Sequence, residues 1–224
     1  MTGVSSKMAG SSAASRAFYT FARGLVVAFC KVWFRLSVEG RENLPATGAF
    51  VVAPVHRSNL DTPFAAAVAT RRVRFMGKDS LWKPKWSNWL LSALGGFPVT
   101  RGTADREALL RSIEVLKGGE PLVLFPEGER KSGPIVQPLF DGAAYVAAKC
   151  NVPIVPVGIG GSERAMPKGS KFLHPRKVHI VIGKPVYPEV SGGRVPRQAV
   201  RDLTDRVQND LQRVFDTAQV RAGA

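Results

Sequence analysis

Apolar positions in this chain fall into short unbroken runs and longer periodic stretches, and the alternation of the two predicts an α/β protein. Phe50-Val51-Val52-Ala53-Pro54-Val55 is continuous and β-branched, which predicts a strand covered on both faces. Leu122-Val123-Leu124-Phe125, Val152-Pro153-Ile154-Val155-Pro156-Val157 and Val178-His179-Ile180-Val181-Ile182 read the same way, the prolines of the second hinting at an edge or a bulge. Shorter strands are expected at Val38-Glu39-Gly40, around Val73 and Phe75, where Arg71, Arg72, Arg74 and Lys78 suggest a solvated edge, and at Phe97-Pro98-Val99-Thr100. Helical spacing fills the gaps. Thr62-Pro63 opens one helix, a second runs from near Pro84 to Leu94 before Gly95-Gly96, and Leu109, Ile113 and Leu116 mark a third. Gly142 to Cys150 is alanine-rich, and Val200, Leu203, Val207, Leu211 and Val214 give a final covering helix from about Pro196 to Phe215. The expected architecture is a single domain with a mostly parallel central sheet flanked by helices.

The amino-terminal region departs from this pattern. Residues 1–15 are small and polar and predict a disordered tail; residues 218–224 predict a flexible one. Between Phe18 and Phe34 the chain is strongly apolar, but Arg23 and Lys31 interrupt it, so no span approaches the length a bilayer crossing needs. Phe18, Phe21, Leu25 and Phe29 recur near helical spacing, with Arg16, Arg23, Lys31 and Arg35 positioned to snorkel. That combination predicts an amphipathic helix over residues 16–36 lying in a membrane interface, against the plainer reading of a core-packing helix. Trp82, Trp86 and Trp89, flanked by Lys83 and Lys85, form a second candidate membrane contact, since indoles and cations both favour the headgroup boundary.

Charge and cysteines narrow the partners and the compartment. Thirty-two Lys and Arg against 17 Asp and Glu leave a formal net charge of +15, which implies an anionic partner: lipid headgroups, a phosphorylated small substrate or nucleic acid. Cys30 and Cys150 lie in apolar stretches without metal-ligand spacing and read as buried free thiols in a reducing compartment. No metal site, P-loop or dinucleotide-binding glycine fingerprint is present in the sequence.

The chemistry gathers where strands end. After residue 55 the chain runs into His56-Arg57-Ser58-Asn59-Leu60-Asp61. On a regular helix five residues would leave His56 and Asp61 about 140° apart, so a strand-to-helix turn is needed for them to meet. If they meet, the carboxylate holds the imidazole in one tautomer and stabilises the imidazolium formed when it takes a proton. A turn histidine and a helix-capping aspartate remain the alternative. Arg101 and the stretch Pro126-Glu127-Gly128-Glu129-Arg130 also follow predicted strands, the end of an α/β sheet at which ligands bind.

In order along the chain, these stretches resemble the glycerolipid acyltransferase family, in particular the bacterial 1-acylglycerol-3-phosphate acyltransferases. His56 to Asp61 resembles the family's H-x₄-D motif and Gly96-Phe97-Pro98-Val99-Thr100-Arg101 its second block. Phe125-Pro126-Glu127-Gly128-Glu129-Arg130 is similar to the third and Val152 to Val157 to the fourth. Glu129 and Thr100 depart from the residues common there, Thr and Asp respectively. The resemblance implies an acyltransferase domain over residues 37–217, with His56 as general base and Asp61 as its partner. It also implies Arg101 and Arg130 on the acceptor's phosphate, and Glu127 and Gly128 shaping the glycerol site. It implies acyl transfer to lysophosphatidate without a cofactor, from acyl-CoA or acyl carrier protein as co-substrate. The enzyme would be peripheral or monotopic on an anionic membrane, at its cytoplasmic face, with no nucleic acid partner. Glycerol 3-phosphate or another lysolipid is the alternative acceptor, and a non-catalytic basic module binding membrane or nucleic acid the alternative class.

Overall fold

The computed structural model describes residues 13–83, 85–99, 106–190 and 193–224. Its strands are β1 (Ser37–Glu39), β2 (Val51–Pro54), β3 (Arg74–Lys78), β4 (Gly96–Val99), β5 (Leu122–Val123), β6 (Ile154–Gly160) and β7 (His179–Ile182). They form one sheet in the order β1-β7-β6-β2-β5-β3-β4. Every pairing is parallel except β6 with β7. The helices are α1 (Ala13–Trp33), α2 (Asp61–Val68), α3 (Lys85–Ala93), α4 (Arg106–Lys117), α5 (Gly142–Cys150), the single turn α6 (Ser162–Ala165) and α7 (Arg197–Ala222).

β2 lies in the middle of the sheet, and its alternate residues belong to two cores. Val51 and Ala53 pack with Val115 and Leu116 of α4, Ala144 and Ala147 of α5 and Leu203 of α7. Val52 and, just past the strand, Val55 pack with Phe34 beyond α1, Phe64 of α2 and Phe215 of α7. Burial on both faces is why the run reads as unbroken apolar sequence, and each buried valine in it contributes roughly 1.5–3 kcal/mol. α7 spans both cores and crosses β6 at two glycines. A Cβ on Gly158 would lie 2.2 Å from the Val214 carbonyl oxygen, and one on Gly160 would lie 2.0 Å from that of Ala218. Only glycine allows a helix backbone to come so close to a strand.

Several expectations are corrected. β6 is an inner strand despite its prolines: β2 bonds to it at Pro153 and Val157, while the Pro156 carbonyl accepts from Gly183 on the other side. Because Pro156 faces away from β2, its missing N–H costs that ladder nothing. β3 is likewise no edge, since it lies between β5 and β4, and Arg74 is buried with its guanidinium on Glu120. α7 continues to Ala222, with Ala218 and Ala222 buried, so residues 218–222 are helix rather than flexible tail. α1 begins at Ala13, inside the expected 1–15 tail; residues 1–12 lie outside the described ones.

α1 docks through Tyr19 and Cys30, both buried. Its Arg23 donates to the carbonyls of Ala66 and Ala69, and Arg41 donates to those of Ala67 and Val68 at 2.9 and 2.7 Å. Two guanidinium groups thus satisfy the carbonyl end of α2, where its dipole is negative. The opposite face of α1 is apolar and exposed: Phe21, Leu25, Phe29 and Val32 are 66, 58, 47 and 81% exposed. Phe18 packs its ring 5.2 Å from that of Trp89 on α3, which is itself 63% exposed. Trp82, expected on the membrane side, is buried at 5% exposure. The 3-10 turn Asp79–Trp82 carries its indole against Gly77 and Gly96, with Nε1 donating to Ser92 Oγ at 3.3 Å. The side chain of Trp86 lies outside the described ones. No described helix is long and apolar enough to cross a membrane.

Candidate active site

β2 and β5 are parallel neighbours, so the loops leaving them emerge side by side. The β2 loop carries His56 and turns at once into α2, whose first residue is Asp61. That turn closes the gap a helix would leave: His56 Nδ1 is 3.1 Å from Asp61 Oδ2. The same oxygen accepts the backbone N–H groups of Arg57 and Ser58, both at 2.6 Å. Asp61 is fully buried in the first turn of α2. A carboxylate only accepts, so Nδ1 carries the proton and Nε2 is left as the basic nitrogen. No described group bonds Nε2, and His56 lines a cavity of about 630 Å³. Its ring stacks on Phe125 at 4.1 Å between centroids, which fixes its plane.

Beneath the histidine lies a buried ion pair. Arg57, 1% exposed, places Nη1 2.7 and 3.0 Å from the two oxygens of Glu127, which is fully buried. Its remaining donors go to the carbonyls of His56, Gly133 and Ile135, at 3.2, 3.0 and 3.0 Å, and the guanidinium lies 4.9 Å over the Phe215 ring. Glu127 also accepts the N–H of His56 and that of Gln137, each at 3.0 Å. Both oxygens are therefore occupied, and Glu127 faces inward rather than into the cavity. Gly128 is not in the cavity wall either. Its φ of +73° closes the turn after β5, and a Cβ there would meet the Phe140 ring at 2.6 Å. Arg130 does line the cavity, together with the α2 residues Thr62, Pro63 and Ala66. Arg101 lies outside the described residues.

The rest of the cavity is mainly apolar, walled by Phe75, Met76, Leu81, Trp82, Leu91 and Leu94. Tyr19 and Arg23 of α1 complete it; burial raises the Tyr19 phenol, which therefore stays neutral. Neither cysteine reaches the cavity, and burial pushes the Cys30 thiol up to about 11 and raises that of Cys150 as well. A thiol is absent from the described wall, which sets the His56 imidazole and the Arg130 guanidinium beside mainly apolar side chains. Sequence reasoning missed Arg57, Phe125, Tyr19 and Arg23. A charged residue beside a candidate base was visible at Arg57, but its carboxylate partner is 70 residues away.

The α/β sheet thus presents a histidine–aspartate pair at a strand end, beside a mainly apolar cavity. The Acyltransferase family model matches residues 35–160, over half of the chain, and the chain belongs to that family. It is 29% identical over 153 residues to the 1-acyl-sn-glycerol-3-phosphate acyltransferase of Bacillus subtilis, covering 68% of this chain and 74% of that protein. It is 30% identical over 159 residues to a chloroplast 1-acyl-sn-glycerol-3-phosphate acyltransferase of Brassica napus, covering 69% of this chain and 46% of the plant protein. The chain thus spans less than half the length of that plant relative. The crystal structure of the 1-acyl-sn-glycerophosphate acyltransferase of Thermotoga maritima superposes with a TM-score of 0.71 at 28% identity, covering 92% of this chain and 82% of that one.

Proposed function

We propose that this protein moves a fatty acyl group from a thioester to the sn-2 hydroxyl of lysophosphatidate, giving phosphatidate, at a membrane surface. The observation that carries the reading is the His56–Asp61 contact through Nδ1, with His56 lining a cavity that Arg130 also lines. Nε2 takes the hydroxyl proton as the oxygen attacks the thioester carbonyl carbon. The carbon–sulfur bond then breaks, and the leaving thiolate recovers the proton from the imidazolium, whose charge Asp61 stabilises. No acyl-enzyme forms. General-base assistance of this kind supplies typically about 10²–10⁴-fold.

Arg130 offers a planar, permanently charged fork to the acceptor's phosphate, and Arg101 is proposed as its companion. The apolar wall from Phe75 to Leu94 takes an acyl chain. The exposed residues of α1, with Trp89 beside Phe18, rest in the headgroup boundary and let lipid enter the cavity from that side. Acyl-CoA or acyl carrier protein serves as donor, and the cytoplasmic face of the membrane, where such thioesters are made, is the proposed location.

An acceptor panel tests the assignment: thioester release is followed with lysophosphatidate, glycerol 3-phosphate and phosphate-free lysolipids, and products are identified by mass. Turnover is expected with lysophosphatidate foremost, and Arg130→Ala should raise KM for phosphate-bearing acceptors only. Preference for a phosphate-free acceptor would refute the phosphate role, and salt-sensitive nucleic acid binding without turnover would refute the enzyme reading altogether.

A further inference from the structure

The loop between α6 and β7 has no part in the chemistry above. Residues 166–178 contain Lys168, Lys171, Arg176 and Lys177 and no acidic residue. All four cations are exposed, and none pairs with a described carboxylate. Of the nearby acids, Glu129 pairs with Lys131 at 2.8 Å and also feels the charge of Lys168, and Glu163 accepts the N–H of Gly133 at 3.1 Å, which leaves Lys171, Arg176 and Lys177 without an acidic neighbour among the described residues. At the loop's tip Phe172 and Leu173 are 77 and 40% exposed.

This exposure belongs to an ordered segment. The N–H of Ser170 donates to Pro167 O and that of Phe172 to Ser170 Oγ, both at 3.0 Å, and the N–H of His174 donates back to Ala165 O at 2.8 Å. The loop is also fixed at both ends to parts of the molecule already assigned. At its start Met166 O accepts from Ser58 Oγ at 2.8 Å, next to the dyad, and Lys168 Nζ reaches Arg130 O at 3.4 Å. At its end Val178 N–H donates to Phe34 O at 3.0 Å, just past the membrane-facing helix α1.

We propose that this loop is a second membrane contact, specific for anionic lipid, and this rests on the membrane reading of α1. Its cations lie over phosphate headgroups while Phe172 and Leu173 enter the boundary between headgroups and acyl chains. Uncompensated positive charge around an outward apolar pair complements an anionic bilayer surface in both respects. The contact would hold the catalytic turn and Arg130 at the level where an acceptor phosphate lies.

Two variants on the full chain test this: Phe172→Ser with Leu173→Ser, and Lys171→Gln with Arg176→Gln and Lys177→Gln. Partition is measured on vesicles of phosphatidylcholine with and without phosphatidylglycerol. Turnover is measured in parallel on a short-chain lysophosphatidate dissolved as monomer, with acyl-CoA and separately with acyl carrier protein as donor, and neither variant should change it. The charge variant is expected to bind anionic vesicles about a hundredfold more weakly, roughly fivefold for each cation, and neutral vesicles unchanged. The apolar variant should lose about tenfold on both. Parent-like partition of both variants would overturn the proposal while leaving the α1 reading intact; a parent protein that ignores vesicles would overturn both. Unchanged partition with turnover lost only when acyl carrier protein is the donor would make the loop a protein-docking surface instead, and overturn it equally.

Discussion

Glu127 and Arg57 stand 70 residues apart in sequence and 2.7 Å apart in the fold. The resemblance gave Glu127 a role toward substrate, but it is buried and its four hydrogen bonds go to three protein partners, the N–H groups of His56 and Gln137 and the guanidinium of Arg57, while Arg57 also grips the His56 carbonyl. Such a pair is costly to break and cheaper to replace whole, because removing one partner strands a buried charge. Glu127→Gln is therefore expected to lose about 3–5 kcal/mol, a fall in Tm of roughly 10 °C for a chain of this size. The cost of pairing it with Arg57→Met should be well below the sum of the two single changes, which denaturant titration of the double-mutant cycle checks. Additive costs would show that the two groups do not act as a pair. His56 and Asp61 were legible because one turn brings them together, so local residue types carry the signal. Arg57 with Glu127 was not, since a tertiary pair leaves no mark in either local pattern.

Elements repeat the lesson with different physics. The α7 periodicity marked its buried stripe correctly through Val200, Leu203, Val207, Leu211 and Val214. Its last turns were read as tail because Ala218 and Ala222 are small and give little periodic contrast, yet Ala218 lies directly over β6. β6 was read as a possible edge from its prolines, because which side of a strand a missing N–H faces depends on its neighbours. Trp82 was assigned to the lipid side from composition, whereas a single 3-10 turn rotates it inward. The closeness of α7 to β6 yields a sharp expectation. Gly160→Ala, whose Cβ would fall 2.0 Å from a helix carbonyl, must displace α7 and lower stability by about 1–3 kcal/mol or more. Gly24→Ala on α1, where nothing lies within 4 Å, should be neutral or stabilise by up to about 1 kcal/mol. Denaturation midpoints of the two variants measure this contrast, and equal effects would contradict the packing described.

At the scale of the molecule, the fold brings α1, the β2 loop with α2, the stretch from Phe75 to Gly96 and Arg130 around one cavity. Strand ends were readable as places of chemistry; that β2 and β5 are neighbours, so that their loops share one pocket, was not, because strand order is set by long-range packing. The apolar face of α1, the basic loop before β7 and the cavity lined from α1, α2 and α3 fit the proposal of a protein that takes lipid from a surface and acylates it. Everything in that account depends on His56 Nε2 acting as the base. The most direct measurement is turnover of lysophosphatidate with an acyl thioester by His56→Ala, with Tm and vesicle partition recorded on the same preparation. The account predicts a loss on the order of 10³-fold or more, with Tm and partition near those of the parent. Turnover retained within a few-fold in a folded, membrane-binding His56→Ala protein would contradict it.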